Sequence, residues 1–344
     1  MQNNVIQING KFLSRDITGV ERYANSLINE FISLGFKFNI LKPKDSFIVG
    51  KYQNIWEQFI PYKMNGNLLF CPTNTGPINY KNKILTLHDA AVLSHPEWFS
   101  KYYSTIRKIM IPKLINSSLK IITVSDFSKN HICDRLNIDE TKIEVIHNGV
   151  DIEKFKPMGI SNKVLKKYNL EKPFLLSVGS IEPRKNLKRI INSWMKLPKI
   201  YRDEFDLIII GKKNEKFRET FIQEDNSIKN LGYVSDDDLI TLYSMAHIFL
   251  YPSLFEGFGL PILEAMSCGA PVITSNYSAL PEVGGNSVLY VDPKNEDNIA
   301  SKIAELLDND DMQKDLKIKG IEQSKLFSWN SSAKKTIKLL NKYI

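Results

Sequence analysis

The chain has 344 residues, 43% hydrophobic and 24% charged, with a net charge of +8. That length suits two domains, each large enough to bury its own core. The longest apolar runs, such as Leu207–Ile210 and Ile248–Tyr251, are strand-sized and far short of the ~20 residues of a membrane span. The start, MQNNVIQING, has no basic region followed by a long apolar core, so no secretory leader is expected. Cys71, Cys133 and Cys268 are scattered and odd in number. They make neither a disulfide framework nor a zinc knuckle and suit a reducing cytoplasm. Residues 1–165 hold 21 basic and 14 acidic residues, against 25 and 24 in the remainder, so the excess lies almost wholly in the first half. A basic half is expected to meet an anionic partner, whether lipid headgroups, phosphates or nucleic acid. It equally suits a merely soluble basic surface.

Taken in chain order, the first half reads as strands near Val5–Ile8, Lys37–Leu41, Ile84–Leu87, Lys120–Val124 and Ile143–Ile146. Helical spacing fits Val20–Leu34, Ser100–Asn116 and Phe127–Leu136. The run His147–Lys166 has no clean period and carries Gly149, Pro157 and Gly159, which places a domain boundary there. Strands then fit Phe174–Val178, Asp206–Ile210, Ile228–Leu231, Ile248–Tyr251, Val272–Thr274 and Val288–Val291. Helices lie between them, ending with Asp297–Asp308, Met312–Lys325 and Asn330–Lys342. Strands alternating with helices predict parallel sheets covered on both faces, an α/β class of two doubly wound Rossmann-like domains facing across a cleft. Ligands of such sheets bind outside the carboxyl ends of the strands.

Four loops at strand ends carry candidate chemistry. The stretch Phe255–Pro271 reads FEGFGLPILEAMSCGAP. Gly257 and Gly259 precede a helix opened near Pro261, and Gly269 is expected to cap its far end. Unpaired N–H groups at such a helix start favour an anion, and glycines let a phosphate approach the backbone. Glu256 and Glu264, eight residues apart, flank that anion position. Carboxylates there make sense as acceptors from paired hydroxyls. A phosphate between two hydroxyl-rich groups describes a nucleotide sugar, although Glu264 placed in a first helical turn equally suits the helix dipole.

In Ser177–Leu187, SVGSIEPRKNL, Arg184 and Lys185 follow a strand and could neutralise a diphosphate leaving group, or form an ordinary exposed basic turn. Asn186 fits a helix N-cap. Gly10–Arg22 brings Gly19, Arg15 and Arg22 to the start of the first helix, without the G-x-G-x-x-G of a nicotinamide site. His88 and Asp89 end a buried strand, where a histidine can donate to a sugar hydroxyl, act as a base or simply sit in the core. Ser235–Asp238 reads as a capping box rather than a metal site. Trp98–Lys120 has four aromatics, five basic residues and no acid, which fits an interfacial helix on an anionic membrane or a core helix with a basic face.

With these motifs the chain resembles the family-4 glycosyltransferases of the GT-B fold, of the bacterial surface-polysaccharide mannosyl- or rhamnosyltransferase type. The resemblance runs over nearly the whole chain. It is strongest from Leu231 to Pro293, with Thr18–Val20, Leu87–Asp89, Val124–Ser125, His147–Asp151 and Val178–Asn186 in support. It implies an acceptor-binding domain at 1–165, a donor-binding domain at 166–327 and a terminal helix, 328–344, crossing back to the first. It implies that Glu256 contacts the donor sugar and Glu264 the ribose hydroxyls. Gly257, Phe258, Gly259 and Leu260 would lie against donor sugar and phosphate. Arg184 and Lys185 would hold the diphosphate, and His88 would sit at the reacting sugar. Tyr233 and Val234 would line the base pocket, and Gly19 would approach phosphates or acceptor. Ser180 stands where many members have an arginine, and Arg184 would take over that contact.

The resemblance further implies a retaining hexosyl transfer without metal or cofactor, by a front-face route, to a lipid-linked or oligosaccharide acceptor. With Ser235–Asp238 read as a cap, no D-x-D metal site is expected, which agrees with this. The enzyme would work in the cytoplasm at the inner membrane face. A non-catalytic sugar-nucleotide-binding partner and a nucleotide-sugar epimerase are the alternatives. Nucleic-acid binding is not expected, because no aromatic-basic reader motif is present.

Overall fold

The computed structural model describes residues 5–14, 18–42, 53–60, 64, 66–212 and 225–344. Arg15, in the Gly10–Arg22 stretch, lies outside the described residues. The chain forms two compact units. One comprises Met1–Ser94, Lys101–Gly149 and Trp329–Ile344, the other His95–Ser100 and Val150–Ser328.

The first unit is built on β1 (Ile6–Asn9), β2 (Phe38–Leu41), β3 (Leu69–Cys71), β4 (Lys83–Thr86), β5 (Lys120–Thr123) and β6 (Ile143–Val145). All pair in parallel, in the order β2-β1-β3-β4-β5-β6. Buried strand residues such as Ile8, Phe70 and Ile84 reflect helical cover on both faces. β3 has no counterpart in the sequence reading. It is three residues long, too short for its apolar run to show a period, and PTNTGP follows at once. A helix at Gln53–Phe59 was likewise not anticipated. The terminal helix Trp329–Leu340 packs in this unit against helix Gly19–Ser33. Trp329 meets the edge of Tyr23 at 5.9 Å, and Asn330 Nδ2 donates to Glu30 Oε2 at 3.0 Å.

The second unit contains β7 (Phe174–Val178), β8 (Asp206–Ile210), β9 (Ile228–Gly232), β10 (Ile248–Tyr251), β11 (Val272–Ser275) and β12 (Leu289–Val291). They too are parallel, in the order β12-β11-β10-β7-β8-β9. The strand order reverses between β7 and β10. A crevice opens at such a reversal because the two following loops leave towards opposite faces of the sheet. Both glutamate- and lysine-bearing motifs sit in those two loops. Below them lies a core of Leu175, Ile190, Trp194, Leu207, Leu250 and Ile303, among others. Trp194 is fully buried, and its Nε1 donates to Ser227 Oγ at 2.9 Å, which settles the polar end of a large apolar side chain.

Candidate donor site of the second unit

The loop after β7 begins with Gly179 and Ser180, then forms a 3-10 turn, Pro183–Lys185. Gly211, just past β8, lies so close that a Cβ there would stand 1.8 Å from the Gly179 carbonyl oxygen. That contact requires glycine and fixes the path of the loop. Asn186 follows in the left-handed region, φ 61°, at the start of helix Leu187–Lys196. It does not cap the helix with its side chain. Its Nδ2 donates instead to the carbonyls of Pro252 (2.9 Å) and Pro293 (2.6 Å), joining this loop to those after β10 and β12. Leu254 N–H donates to the Arg184 carbonyl at 2.8 Å, a second tie between the loops.

These ties gather the charges. Lys185 Nζ lies 2.7 Å from Glu256 Oε1 and also donates to the Tyr251 hydroxyl at the end of β10. Arg184 Nη1 lies 3.4 Å from Glu256 Oε2, and its Nε pairs with Glu182. Glu256 is 5% exposed, and its N–H donates to Ser278 Oγ at 3.1 Å. Burial pushes the Glu256 carboxyl up, but Lys185 and Arg184 together outweigh it and hold the carboxyl below its usual range. Burial, and then the Glu256 charge, push the Tyr251 hydroxyl well up, so it stays a neutral hydrogen-bonding group. A small pocket lined by Ser177, Gly179, Ser180, Lys185, Ile210 and Tyr251 opens beside this cluster.

Beyond Glu256 the loop turns through buried Gly257 and Phe258 to Gly259, whose φ of 117° only glycine adopts readily. Phe258 packs on Phe327, ring centroids 5.7 Å apart. Leu260 opens the eight-residue helix Leu260–Ser267, and Gly269 ends it at φ 78°, as the spacing predicts. Glu264 lies in the second turn rather than the first, so the dipole of the opening turn does not account for it. It is buried and accepts from the Tyr243 hydroxyl at 3.2 Å. Tyr233 is 68% exposed after β9, with Lys212 Nζ 4.6 Å from its ring centroid, while the Val234 side chain is buried. Ser235 Oγ accepts from Asp238 N–H, the expected cap.

His88 and Gly19 belong to the first unit. His88 follows β4, its backbone N–H donating to Asn74 Oδ1 at 2.7 Å, and its imidazole packs edge-to-face with the Tyr23 ring, centroids 4.6 Å apart. Burial pushes the imidazole down to about 4, against a lesser opposing pull from Asp89. It is therefore neutral at physiological pH, able to donate through one nitrogen and accept through the other. Gly19 opens helix Gly19–Ser33, and a Cβ placed there would meet nothing within 4 Å among the described residues. At this unit's own strand reversal, between β1 and β3, Lys11 Nζ pairs with Glu57 Oε2 at 2.8 Å, both fully buried. Asn9 Nδ2 and Thr75 Oγ1 donate to the other oxygen of Glu57 at 2.6 and 2.9 Å.

Sequence reasoning passed over Glu182, Tyr251, Ser278 and Lys212 in the second unit, and Lys11 and Glu57 in the first. Tyr251 alone carried a signal, as the last residue of a strand entering the glycine loop.

At the strand reversal of the second unit, two cations are thus paired to a buried carboxylate. Residues 162–323 match the model for glycosyl transferases group 1, and residues 79–154 that for glycosyltransferase family 4. The chain is 34% identical over 269 residues to O-antigen chain mannosyltransferase B of Escherichia coli, covering 76% of this chain and 70% of that one. It is 33% identical over 250 residues to O-antigen chain mannosyltransferase RfbU of Salmonella typhimurium, covering 72% and 65%. Anabaena Alr3699/HepE, solved in complex with UDP and glucose, superposes with a TM-score of 0.72 at 15% identity, over 98% of this chain and 99% of that one. The two parallel six-stranded units are those of the GT-B fold. The chain belongs to the group 1, family 4 glycosyltransferases and is a glycosyltransferase enzyme.

Proposed function

We propose that the enzyme transfers mannose from a nucleoside-diphosphate sugar to a growing surface polysaccharide of the O-antigen kind. The observation that carries this is the Arg184–Lys185–Glu256 cluster at the strand reversal of the second unit, in a chain whose relatives are O-antigen mannosyltransferases. In this reading the donor diphosphate takes Lys185 and Arg184 from Glu256, which turns to the sugar hydroxyls. Phe258, Gly259 and Leu260 present backbone to phosphate and sugar. Glu264 accepts from the ribose, and Tyr233 lies against the base. His88 donates to the sugar as a neutral imidazole. The acceptor hydroxyl attacks the anomeric carbon on the face the leaving group departs from. The bond from that carbon to the β-phosphate oxygen breaks, and a phosphate oxygen takes the hydroxyl proton, so configuration is retained. Arg184 and Lys185 stabilise the charge that gathers on the leaving diphosphate.

The test is a melting-temperature screen against UDP, GDP, dTDP and ADP, followed by transfer assays with the matching sugar nucleotides. A ligand of the native state raises the melting temperature. Transfer of mannose with retained anomeric configuration supports the reading. A different transferred sugar, or an isomerised donor without acceptor, defeats it.

The acceptor is proposed to be lipid-linked and met at an anionic membrane surface by helix Lys101–Asn116. Among the described residues no helix is long and apolar enough to cross a membrane. This helix buries Arg107, Ile111 and Leu114 and turns Tyr102 (80% exposed) and Ile109 (55%) outward beside Lys101, Lys108 and Lys113. Exposed apolar tips among lysines, with no acid on the helix, suit an anionic interface. Co-sedimentation with phosphatidylglycerol vesicles, lost on neutral vesicles and in a Tyr102→Ser/Ile109→Ser variant, is expected. Equal binding by the variant would exclude this face.

A further inference from the structure

We propose that Glu182 is a positioning residue that aims the Arg184 guanidinium at the donor diphosphate. The inference rests on the reading of Arg184 and Lys185 as the diphosphate cradle. Glu182 immediately precedes the 3-10 turn that carries both cations, with extended backbone, φ −148° and ψ 154°. Its carbonyl accepts from Lys185 N–H at 3.1 Å, so the same residue braces the turn. The side chain is 0% exposed. It does not cap the turn; its Oε1 takes the Arg184 Nε hydrogen instead. Its Oε2 has no hydrogen-bond partner among the described residues.

A carboxylate buried with one oxygen unpartnered is a costly component, and a surface turn has no need of it. What it does here is geometric. A guanidinium is planar, so a bond at Nε fixes the plane and leaves its far edge pointing one way. That edge reaches Glu256, where Nη1 stands 3.4 Å from Oε2. Lys185 approaches the same carboxylate from its other oxygen. Two carboxylates and two cations thus balance, and an arriving diphosphate can exchange for Glu256 without moving Arg184. Ser180 stands earlier in the loop, beside the pocket, and brings no charge there.

A pure field effect and a positioning effect have opposite signs. Removing a negative charge beside an anion site should tighten phosphate binding by electrostatics alone. Loss of a positioning contact should weaken it. The experiment measures binding of UDP and GDP, with UMP and GMP in parallel, by titration calorimetry. The pair used is whichever base the unaltered protein binds. It compares the unaltered enzyme with Glu182→Gln, Glu182→Asp and Arg184→Ala. Expected for both Glu182 variants is about tenfold weaker diphosphate binding, with monophosphate binding changed by less than about twofold. The aspartate keeps the charge and withdraws the carboxylate, so it carries the test if the glutamine variant fails to fold. Unchanged or tighter diphosphate binding in the Glu182 variants, with Arg184→Ala strongly weakened, overturns the positioning role alone. Equal loss for mono- and diphosphate marks a structural role and also overturns it. Wild-type diphosphate affinity in Arg184→Ala overturns the cradle itself.

Discussion

Replacing Lys185 by methionine removes one charge from the centre of the cluster while keeping an unbranched side chain. The Lys185 stem lies against Gly179, about where a Cβ would be 3.5 Å from it, so methionine preserves that packing. What is lost is the partner of a carboxylate only 7% exposed in its side chain, at 2.7 Å. Breaking a buried pair by removing one member costs roughly 3–5 kcal/mol, because the other charge stays buried. Arg184 remains 3.4 Å from Glu256, so the lower end, about 3 kcal/mol, is expected. Glu256→Gln alone leaves two cations facing each other and should also destabilise. The double variant Lys185→Met/Glu256→Gln should recover about 2 kcal/mol relative to the sum of the singles.

The pH dependence has a definite sign. In the unaltered protein the folded Glu256 carboxyl lies below its ordinary value of 4.5. Its contribution is therefore present above that value and lost as pH falls through the folded one. With Lys185 gone, burial, the largest influence, is opposed chiefly by Arg184, and the folded carboxyl shifts upward. The penalty of Lys185→Met is then full at pH 8 and shrinks as the medium is acidified towards pH 5. Urea-unfolding midpoints at both pH values measure it. Additivity of the two substitutions within ~0.5 kcal/mol, or an equal Lys185→Met penalty at both pH values, would refute the argument.

Three further outcomes are expected. His88 has a folded value of about 4 against 6.5, so below pH 6.5 the unfolded chain takes a proton that the folded chain refuses. Between pH 7 and pH 4 the unaltered protein should lose about 3 kcal/mol that His88→Asn keeps, read from denaturation at both pH values. Gly211→Ala places a Cβ within 1.8 Å of the Gly179 carbonyl oxygen and must displace the β7 loop. Nucleoside-diphosphate binding should fall at least tenfold, by calorimetry, while far-ultraviolet circular dichroism stays native. Trp194→Ala empties the centre of the second core and should cost about 3–5 kcal/mol in urea denaturation.

Much of the second unit was legible along the chain. The apolar, β-branched run of β8 reads as a doubly covered strand, and it is buried at every residue. Pro261, Gly269 and the Ser235 box mark helix ends because caps and breakers act over three or four residues of contiguous chain. The first unit was less legible. β3 and helix Gln53–Phe59 are too short to show a period. Lys11 follows a strand at a distance where a lysine reads as surface, yet it is fully buried on Glu57. Nothing in either segment announces the other, since 46 residues separate them.

The candidate site divides in the same way. The residue types of FEGFGLPILE and SIEPRKN, and their places at strand ends, follow from spacing alone. Pleat, helical rise and capping are local, so amino-acid order determines them. That Glu256 rests on Lys185 and Arg184, 71 and 72 residues away, follows only from the placement of β10 beside β7. Strand order is chosen by burial of whole sheet faces, which no short stretch of chain contains. Glu182 shows the difference most plainly. In the sequence it is one acid in a loop, and the tertiary structure makes it the buried partner of an arginine two residues on.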